Sequence, residues 1–320
     1  MAALFEQYPS PLLELRDITA AYLDPLLHEE TEEWRTELDW DYRASADLVR
    51  RFVDMRALTG FALPGEAEAA GYAYYVCEEG KGLIGGLYVA RRYRTPEHEN
   101  TLLTGLLDAI WRTPGTRRVE AQLMMLSAPL TRSMPYPRLI RTFPRKFFEV
   151  SLAAIASLPP REPQVVIGPW SENRQEEAAR LVATAYAGHV DSHINDQYRS
   201  ASGARRFLTN IVQYPGCGTF FAPASCVAGP TSGRALYGVC LTSLVAPDVG
   251  HITQICVAPA FRGTGLGYEL LRRSLLALGA HGCRSVSLTV TTSNTSAVQL
   301  YERMGFVNRR DFAAYVWAIK

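Results

Sequence analysis

The sequence predicts an α/β protein built from two tandem copies of one fold, and three observations lead to that prediction. The two halves of the chain match at a constant offset, Gly82 falling on Gly250, 168 residues later. Residues 250–278 have the pattern of a β-branched strand, a glycine-rich loop and a helix with leucines at helical spacing. A proline-rich break lies between the halves, and 320 residues suffice for two domains of about 100–200 residues each.

The first half opens with a helical pattern. Leucines recur at three- and four-residue spacing within residues 12–62, which predicts mainly helix. Strands are predicted at 72–76 and 83–90, on either side of a turn. Residues 143–155 are predicted to complete the first copy as its terminal strand.

The break between the halves is the segment Leu158-Pro-Pro-Arg-Glu-Pro163, whose prolines oppose the continuation of a helix or strand. It divides the chain into a first domain at 1–158, a linker at 159–164 and a second domain at 165–320. Elements predicted in the second domain are helices at 176–186 and 204–212 and a hairpin of 219–227 with 236–244.

The most informative stretch runs from Gly250 to Gly267 and reads GHITQICVAPAFRGTGLG. Gly263, Gly265 and Gly267 have no side chains, so backbone N–H groups of the loop can close on an anion. The first turn of the following helix, predicted at 268–278, adds partial positive charge. A ligand that carries phosphate is therefore expected at this loop.

Two common phosphate loops do not fit this stretch. A Walker loop needs Lys and then Ser or Thr after its last glycine, but Tyr268 and Glu269 follow here. A dinucleotide-binding loop needs an acidic residue after the next strand, and the strand predicted at 285–291 carries none. Neither motif therefore accounts for the loop.

The spacing Arg262-x-x-Gly265-x-Gly267 resembles the pyrophosphate loop of the GCN5-related N-acetyltransferase (GNAT) superfamily, which is Arg/Gln-x-x-Gly-x-Gly/Ala. A second family element follows at the right distance, Asn294-x-x-Ala297-x-x-Leu300-Tyr301-x-x-x-Gly305-Phe306. The resemblance covers roughly residues 165–320. It implies an α/β fold with a mixed, mainly antiparallel sheet flanked by helices, acetyl-CoA as co-substrate and no metal.

The first copy keeps the strand of this motif but departs from its loop. Its departures are Pro96 at the position of Thr264, Glu97 at that of Gly265 and Glu99 at that of Gly267. Two carboxylates would face the phosphates, and the proline removes a donor N–H. We therefore expect a degenerate GNAT-like copy that does not bind CoA, an arrangement that resembles tandem acetyltransferases of the superfamily. Its expected role is to bury a face of the active copy or to shape the acceptor cleft.

The resemblance also implies site residues. The pantetheine arm would pair with the strand before the loop, and the Ile255 N–H would stabilise the oxyanion. Tyr301 occupies the family's tyrosine position, where a phenol can protonate the departing sulfur, although it could also simply pack on the sheet. Asn294 is expected to cap a helix and to touch the cofactor. The predicted cofactor-binding residues are Ile255, Cys256, Val257, Arg262, Gly263, Thr264, Gly265, Leu266, Gly267, Tyr268, Asn294, Ala297 and Tyr301.

The sequence leaves the general base open. The best-known glutamate base of the superfamily lies eleven residues before the first loop residue, and His251 stands there. A histidine pKa of about 6.5 suits proton transfer. A histidine at the start of a strand is equally typical of a hydrogen-bonded structural residue. A chain of water molecules without a dedicated base is the third alternative.

The polar segment 187–206 is predicted to form a helix-loop wall over the acceptor site, with His193 and Tyr198 as candidate substrate contacts. His189 and His193 are four residues apart and could ligate a metal on a helix. Because no third ligand is identifiable, no metal site is predicted.

Composition narrows the partners. The chain has 33 basic and 32 acidic residues and a net charge of +1, so nucleic acid is not expected as a partner. Six cysteines without a C-x-x-C pair indicate mostly buried free thiols. There is no signal-peptide pattern and no apolar run of about 18 residues, so no membrane segment and a cytoplasmic location are expected.

The combined prediction is an acetyl-CoA-dependent N-acetyltransferase that acts on a small-molecule or peptide amine in a ternary complex, as a monomer or homodimer. One alternative is a CoA-binding regulatory or scaffold pseudoenzyme. Another is an acyltransferase that uses a longer acyl-CoA or a hydroxyl acceptor.

Overall fold

Helices and strands alternate along the chain, and the computed structural model describes residues 12–214, 216–231 and 233–319. The opening residues, which contribute to the expectation of no signal peptide, lie outside the described residues. The helices are α1 (Ala20–Leu38), α2 (Arg43–Asp54), α3 (Pro96–Arg112), α4 (Gln175–Ala185), α5 (Asp191–Ile194), α6 (Ala201–Gln213), α7 (Leu266–His281) and α8 (Thr295–Arg303). The strands are β1 (Leu13–Glu14), β2 (Gly60–Pro64), β3 (Ala69–Glu78), β4 (Lys81–Val89), β5 (Arg118–Leu123), β6 (Ile140–Ser151), β7 (Val166–Pro169), β8 (Thr219–Phe220), β9 (Cys226–Gly229), β10 (Gly238–Ala246), β11 (Val249–Val257), β12 (Ser285–Thr291) and β13 (Val307–Ala318).

Most predicted elements of the second half are present with shifted ends. The helices predicted at 176–186, 204–212 and 268–278 are α4, α6 and α7. The predicted hairpin forms between β9 and β10. Its first strand is shorter than 219–227 because a 3-10 helical turn at Ala222–Ala224, which contains a proline, interrupts it.

The first half differs from expectation at its last strand. Residues 12–62 are mainly helical, as predicted, through α1 and α2. The strand predicted at 143–155 is β6, which ends at Ser151 and is followed by a 3-10 helix at Leu152–Ser157. Because β6 pairs antiparallel with β12, the prediction that it completes the sheet of the first copy is wrong. Hydrophobic alternation identifies a strand but does not say which edge it joins.

The chain divides into two compact units. The first contains the residues up to Glu33, Arg43–Thr142 and the segment from Phe312 onwards. The second contains Trp34–Tyr42 and Phe143–Asp311. Each unit therefore includes a strand from the other half of the sequence. The limits 1–158 and 165–320 describe the sequence copies and stay a prediction.

The first unit has a mixed sheet in the order β1-β2-β3-β4-β5-β13. Its one parallel pair is β4 with β5, and the other neighbours are antiparallel. Helix α3 covers the sheet because its leucines recur on one face, and Leu102, Leu106 and Ile110 pack in one core with Val119 and Tyr315.

The second unit repeats this plan in the order β6-β12-β11-β10-β9-β7, with the short β8 beside β10. Its one parallel pair is β11 with β12. One core joins α7 and α8 to strand residues such as Val286, and a second core joins α4 and α6 to residues such as Cys256. The predicted mixed, mainly antiparallel sheet flanked by helices is confirmed in both units.

The internal repeat extends to the register of the strands. In the first unit, Lys81–Ile84 pair with Arg118–Ala121, and in the second, Val249–Ile252 pair with Ser285–Leu288. Both parallel ladders contain four pairs and begin at positions related by the offset of the sequence repeat. Two copies of one fold are therefore visible in the hydrogen-bond ladders as well as in the sequence.

The cysteines are free thiols. Four of them are buried, namely Cys226, Cys240, Cys256 and Cys283, whereas Cys217 is exposed and Cys77 is half-buried. Over the described residues, no helix combines the length and the apolar character that a membrane crossing needs.

Candidate active site

The strands β11 and β12 separate towards their carboxyl ends. Their parallel ladder ends at the pair Ile252 and Leu288, although β11 continues to Val257 and β12 to Thr291. A β-bulge at Thr253 lies directly after the last paired residue of β11, because Leu241 and Thr242 of β10 oppose Gln254 and Ile252. Such a bulge bends a strand and re-aims the residues after it. The result is a gap along one edge of β11.

The peptide N–H groups of Ile255 and Val257 point into this gap. The N–H of Ala258 donates to the Tyr237 carbonyl oxygen at 2.8 Å, on the β10 side of the strand. Since alternate residues of a strand direct their peptide groups to opposite sides, Cys256 faces β10 and its two neighbours face the gap. The geometry therefore favours Ile255 and Val257 over Cys256 for backbone contact with a ligand. The Cys256 side chain is buried in the core of α4 and α6.

The loop after β11 needs glycine at two positions. A 3-10 turn at Pro259–Phe261 leads into Gly263 and Gly265, whose φ angles are +78° and +86°, and α7 then begins at Leu266. A side chain would strain the backbone at both positions. Gly267 lies inside α7, and a Cβ there would stand 3.5 Å from Val257 Cγ2, an ordinary contact. The missing side chain at 267 therefore leaves space beside the loop without being required by the fold.

Two loop side chains bond to nearby carbonyl groups. The guanidinium of Arg262 donates from Nη2 to the Ala185 carbonyl oxygen at 2.6 Å, and the Thr264 hydroxyl donates to the Phe261 carbonyl oxygen at 2.8 Å. Both residues are exposed. The loop thus presents one positive charge and the first turn of a 16-residue helix at the end of the gap.

The predicted linker is fastened to the first turn of α7. The Arg161 N–H donates to Glu269 Oε2 at 3.0 Å, and the Tyr268 hydroxyl donates to the Pro159 carbonyl oxygen at 2.8 Å. The Arg161 side chain passes 3.7 Å from where a Cβ of Gly265 would be. Sequence reasoning missed Arg161 because nothing in a proline-rich linker indicates where it lies.

Glu269 anchors this arrangement as a charged group. Burial opposes its charged form, but hydrogen bonds from the Arg272 side chain, the Arg161 backbone and the Arg273 side chain hold the pKa of Glu269 below its usual value. The carboxylate therefore stays ionised at neutral pH. It fixes the backbone of Arg161 beside the glycine loop.

Tyr301 lies on α8 and is buried between two aromatic rings. Its ring centroid is 6.3 Å from that of Phe148 and 5.8 Å from that of Phe306. Its hydroxyl has no hydrogen bond with any described residue. Burial raises the pKa of Tyr301, so the phenol keeps its proton at neutral pH.

Asn294 caps α8. Its side-chain oxygen accepts the Ala297 N–H at 3.4 Å, so the predicted capping role is confirmed. Ala297 is half-buried in the first turn of α8, and contact of either residue with a cofactor stays a prediction.

His251 lies in the paired part of β11, away from the gap. Its Nδ1 is 2.9 Å from Ser287 Oγ, and its ring centroid is 5.0 Å from that of Trp40 and 6.4 Å from that of Phe147. Burial lowers the pKa of His251 to about 4, so the imidazole is neutral at pH 7. Of the alternatives left open by the sequence, this geometry favours the hydrogen-bonded structural residue.

Residues of the polar segment line β11 beyond its bulge. The rings of Tyr186 and Tyr198 stack at a centroid distance of 4.4 Å. Gln254 Nε2 donates to the Tyr186 hydroxyl at 2.9 Å, and the Tyr198 hydroxyl donates weakly to Gln254 Oε1 at 3.5 Å. The bulge at Thr253 turns Gln254 to this face of the sheet. Sequence periodicity gives no sign of that shift, which is why Gln254 was not predicted.

The two histidines of this segment have different surroundings. His193 is exposed on α5, whereas His189 precedes that helix and lies 3.7 Å from Asp191 Oδ2 through its Nδ1. The helical pair required by the metal alternative is therefore not formed. Of the two predicted substrate contacts, Tyr198 reaches β11 and His193 lies at the surface.

Comparison with known proteins adds the family. The model of the Acetyltransferase (GNAT) family matches residues 189–306, which include the loop, α7, β12 and α8. The second copy belongs to this family of acetyltransferases, and the resemblance found in the sequence is confirmed.

Solved structures show the same fold over most of the chain. A GCN5-related N-acetyltransferase from Sphaerobacter thermophilus aligns with a TM-score of 0.66 over 98% of both chains at 19% identity. A tandem GNAT protein from the clavulanic acid biosynthesis pathway aligns with a TM-score of 0.58 over 82% of this chain and 83% of its own at 15% identity. This chain is accordingly a tandem GNAT protein.

Curated relatives carry the name mycothiol acetyltransferase. One from Corynebacterium glutamicum is 35% identical over 83 residues, which are 26% of this chain and 28% of that protein. Another, from Propionibacterium freudenreichii, is 23% identical over 82% of this chain and 84% of its own length. The matches above 30% identity thus span only a minor part of these relatives.

Proposed function

We propose that this protein transfers the acetyl group of acetyl-CoA to a primary amine, and that its second unit is the active one. The observation that carries the proposal is the continuity of the gap beside β11 with the glycine loop at its end. An extended ligand with a phosphate group at one end fits such a groove. The family match of the same residues supports this function.

The residues of the second unit fit the parts of acetyl-CoA. The loop backbone at Gly263 and Gly265, together with Arg262 and Arg161, would hold the phosphate groups. The N–H groups of Ile255 and Val257 would bind the pantetheine arm as a neighbouring strand does. When bound, acetyl-CoA supplies the thioester. The Ile255 N–H would then stabilise the negative charge that develops on the carbonyl oxygen.

Tyr301 is the proposed proton donor. Its hydroxyl is free of hydrogen bonds to the described residues and stays protonated at neutral pH because of burial. A protonated phenol beside a departing thiolate can transfer its proton to sulfur. Its position on α8 follows from the family motif that begins at Asn294.

The acceptor, the oligomeric state and the cytoplasmic location remain proposals. Mycothiol belongs in an acceptor screen because curated relatives take their name from it. The screen should otherwise contain small primary amines and short peptides.

Tyr301→Phe tests the proposal. We expect turnover to fall about 100-fold, because a general acid contributes at least this factor, with an unchanged Kd for acetyl-CoA. Tyr214→Phe is a matched control, since Tyr214 is an exposed tyrosine of the same unit. Binding of acetyl-CoA without turnover across the screen would favour the CoA-binding pseudoenzyme. Lack of binding by the wild type would contradict both functions.

A further inference from the structure

One face of the second sheet is polar where an apolar core is expected. Ser287, Thr289 and Thr291 alternate along β12 and therefore share a face, opposite to the face of Val286 and Val290. Ser287 and Thr291 are buried, at 0% and 1% exposure. Buried polar groups cost free energy unless they are hydrogen-bonded, so this row indicates a purpose beyond packing.

Each member of the row contacts a residue that titrates or carries charge. Ser287 bonds to His251, Thr289 accepts from Arg145 at 3.0 Å, and Thr291 donates to Asp191. The first contact lies where β11 and β12 are paired. The last lies where they have separated, beside the gap assigned to acetyl-CoA.

Asp191 is a largely buried carboxylate without an arginine or lysine partner among the described residues. Its side chain is 15% exposed, and its one ion-pair contact is with His189 Nδ1 at 3.7 Å. The Thr291 hydroxyl bonds to Oδ1, and the Asp191 N–H donates to His189 Nδ1 at 3.2 Å. The carboxylate is thus oriented but not neutralised, and a cation that bound beside it would offset the cost of its burial.

Three tyrosine hydroxyls surround this carboxylate. Burial raises the pKa of Tyr186, Tyr198 and Tyr301, and the negative charge of Asp191 raises each of them further. Tyr198 and Tyr186 also bond to Gln254 on β11. Asp191 therefore shares one cleft with the proposed proton donor Tyr301 and with the strand that would bind the thioester.

We propose that Asp191 binds the ammonium group of the acceptor and takes its first proton. This inference rests on the proposed function and deepens it, because it makes the acceptor a primary amine that is cationic at neutral pH. Asp191 fills the role of base that the sequence left open. His251 is a poorer candidate because Trp40 and Phe147 cover its ring and Ser287 occupies its Nδ1.

The proton transfers balance over the reaction. The ammonium gives one proton to Asp191, which later releases it to solvent, and the freed lone pair forms the C–N bond with the acetyl carbon. The C–S bond breaks with its electron pair on sulfur, and Tyr301 protonates that sulfur. The nitrogen loses its second proton as the amide forms, and this proton restores Tyr301. The products are the amide, free CoA and one proton.

The test compares two kinds of acceptor with full-length wild type and Asp191→Asn. Asparagine keeps an oxygen for the Thr291 hydroxyl but cannot take a proton. The cationic probe is the best acceptor among glucosamine, cysteine methyl ester, lysine methyl ester and putrescine. The neutral probe is hydroxylamine at pH 7.5. We expect kcat/KM for the cationic probe to fall about 100-fold and that for hydroxylamine to change less than twofold.

Calorimetry of the cationic probe, with CoA present and in two buffers of different ionisation enthalpy, gives a readout besides activity. The wild type should bind the ammonium without releasing a proton. The Asp191→Asn protein should bind the free amine more weakly and release about one proton. A merely structural role for Asp191 would not change the number of protons released.

Controls separate this inference from the proposed function. Asp248→Asn, an exposed carboxylate of the same unit, should behave as the wild type. If Asp191→Asn does not fold, Thr291→Val, which removes the bond that orients the carboxylate, should lower kcat/KM about fivefold for the cationic probe alone. Equal losses with both probes, or hydroxylamine as the one acceptor used, would overturn the role of Asp191. Lack of acetyl-CoA binding by the wild type would instead refute the proposed function on which it rests.

Discussion

The loops that follow β4 and β11 start from one backbone plan and end in different structures. Both strands lead into a 3-10 turn, at Arg91–Tyr93 and at Pro259–Phe261, which the repeat offset relates residue for residue. The offset maps Pro96 onto Thr264, so α3 begins two residues earlier in the repeat than α7. Thr95 caps α3 by accepting the His98 N–H at 3.3 Å. The first unit thus closes its helix start with its own side chain, whereas the second keeps a glycine loop.

An ion pair fills the first unit where the second has space. Glu99, at the repeat position of Gly267, accepts the Ser127 N–H at 3.0 Å and bonds to Arg132, with both side chains 1% exposed. Arg132 in turn donates to the Pro96 carbonyl oxygen at 2.6 Å, in the first turn of α3. The first unit therefore carries its own anion and cation at this place. The comparison shows how a copy can keep the fold after the phosphate loop is lost.

Removal of the Glu99 charge should give the largest effect. Glu99→Gln leaves the Arg132 guanidinium buried without its carboxylate, and breaking such a pair costs about 3–5 kcal/mol. Urea unfolding should show this loss of stability, with no gain of acetyl-CoA binding. Glu97→Gln is the control, because Glu97 is exposed on the same turn and should change stability by less than about 0.5 kcal/mol. Equal stability of the two variants would mean that the ion pair does not hold the degenerate loop.

Gly265→Glu copies the first unit's own residue into the second. It forces a side chain into a φ of +86° and places a carboxylate beside the phosphates, so acetyl-CoA binding should be lost. Calorimetry should show no binding, and acetyl-CoA at about 100 times the wild-type Kd should no longer give about 2.7 kcal/mol of stabilisation.

Gly282→Ala is the matched control for the loop. Gly282 also has a positive φ, +105°, and a Cβ there would meet nothing within 4 Å, but it ends α7 rather than beginning it. This variant should lose stability and keep its affinity. Retained affinity in Gly265→Glu would place the phosphates elsewhere.

The arginines of the two loops differ in the same way. Arg94, the counterpart of Arg262, bonds through two nitrogens to the Glu33 carboxylate, at 2.6 and 2.8 Å. Burial opposes the charge of Glu33, but hydrogen bonds from Arg94, Tyr88 and Arg91 outweigh it and lower its pKa to about 2. Arg262 has a backbone carbonyl as its partner instead and keeps its charge for a ligand.

The depressed pKa of Glu33 predicts a dependence of stability on pH. The carboxylate stabilises the folded protein above its unfolded pKa, and the stabilisation is lost as the pH falls from about 5 to about 2. The free energy of unfolding should drop by about 2 kcal/mol more in the wild type than in Glu33→Gln over this range. Urea titrations at pH 5 and pH 3 measure the difference. Parallel pH dependence of the two proteins would contradict the assigned role of Glu33.

The sequence was sufficient where local pattern and backbone chemistry coincide. Glycine at 263 and 265 predicted positive φ angles, and the helix, strand and cap around them followed from periodicity and Asn294. The repeat was readable because offset matches survive even where the loop has changed. These features depend on neighbours in the chain.

The sequence was insufficient where contacts join distant segments. Nothing in a strand pattern says that β6 joins the sheet of the second unit, or that Trp40 covers His251. The bulge at Thr253 changes which face Gln254 occupies, and periodicity cannot reveal one extra residue. Asp191 stood in a polar segment without a motif, and its contact with Thr291 links residues 100 positions apart.

Arg161→Gln should give the smallest effect and sharpen the comparison most. Its side chain lies beside Gly265 because Glu269 fixes its backbone, so removal of one exposed charge should raise the Kd of acetyl-CoA about fivefold, or about 1 kcal/mol. The increase should shrink with added salt because exposed charges are screened. A parallel titration with 3′-dephospho-CoA assigns the contact: a difference that persists indicates the pyrophosphate, and one that vanishes indicates the 3′-phosphate. Arg205→Gln, an exposed arginine on α6 in a surface ion pair with Glu176, is the control and should bind as the wild type does. An equal Kd for Arg161→Gln at low salt would mean that the linker closes on the helix without serving the phosphate loop.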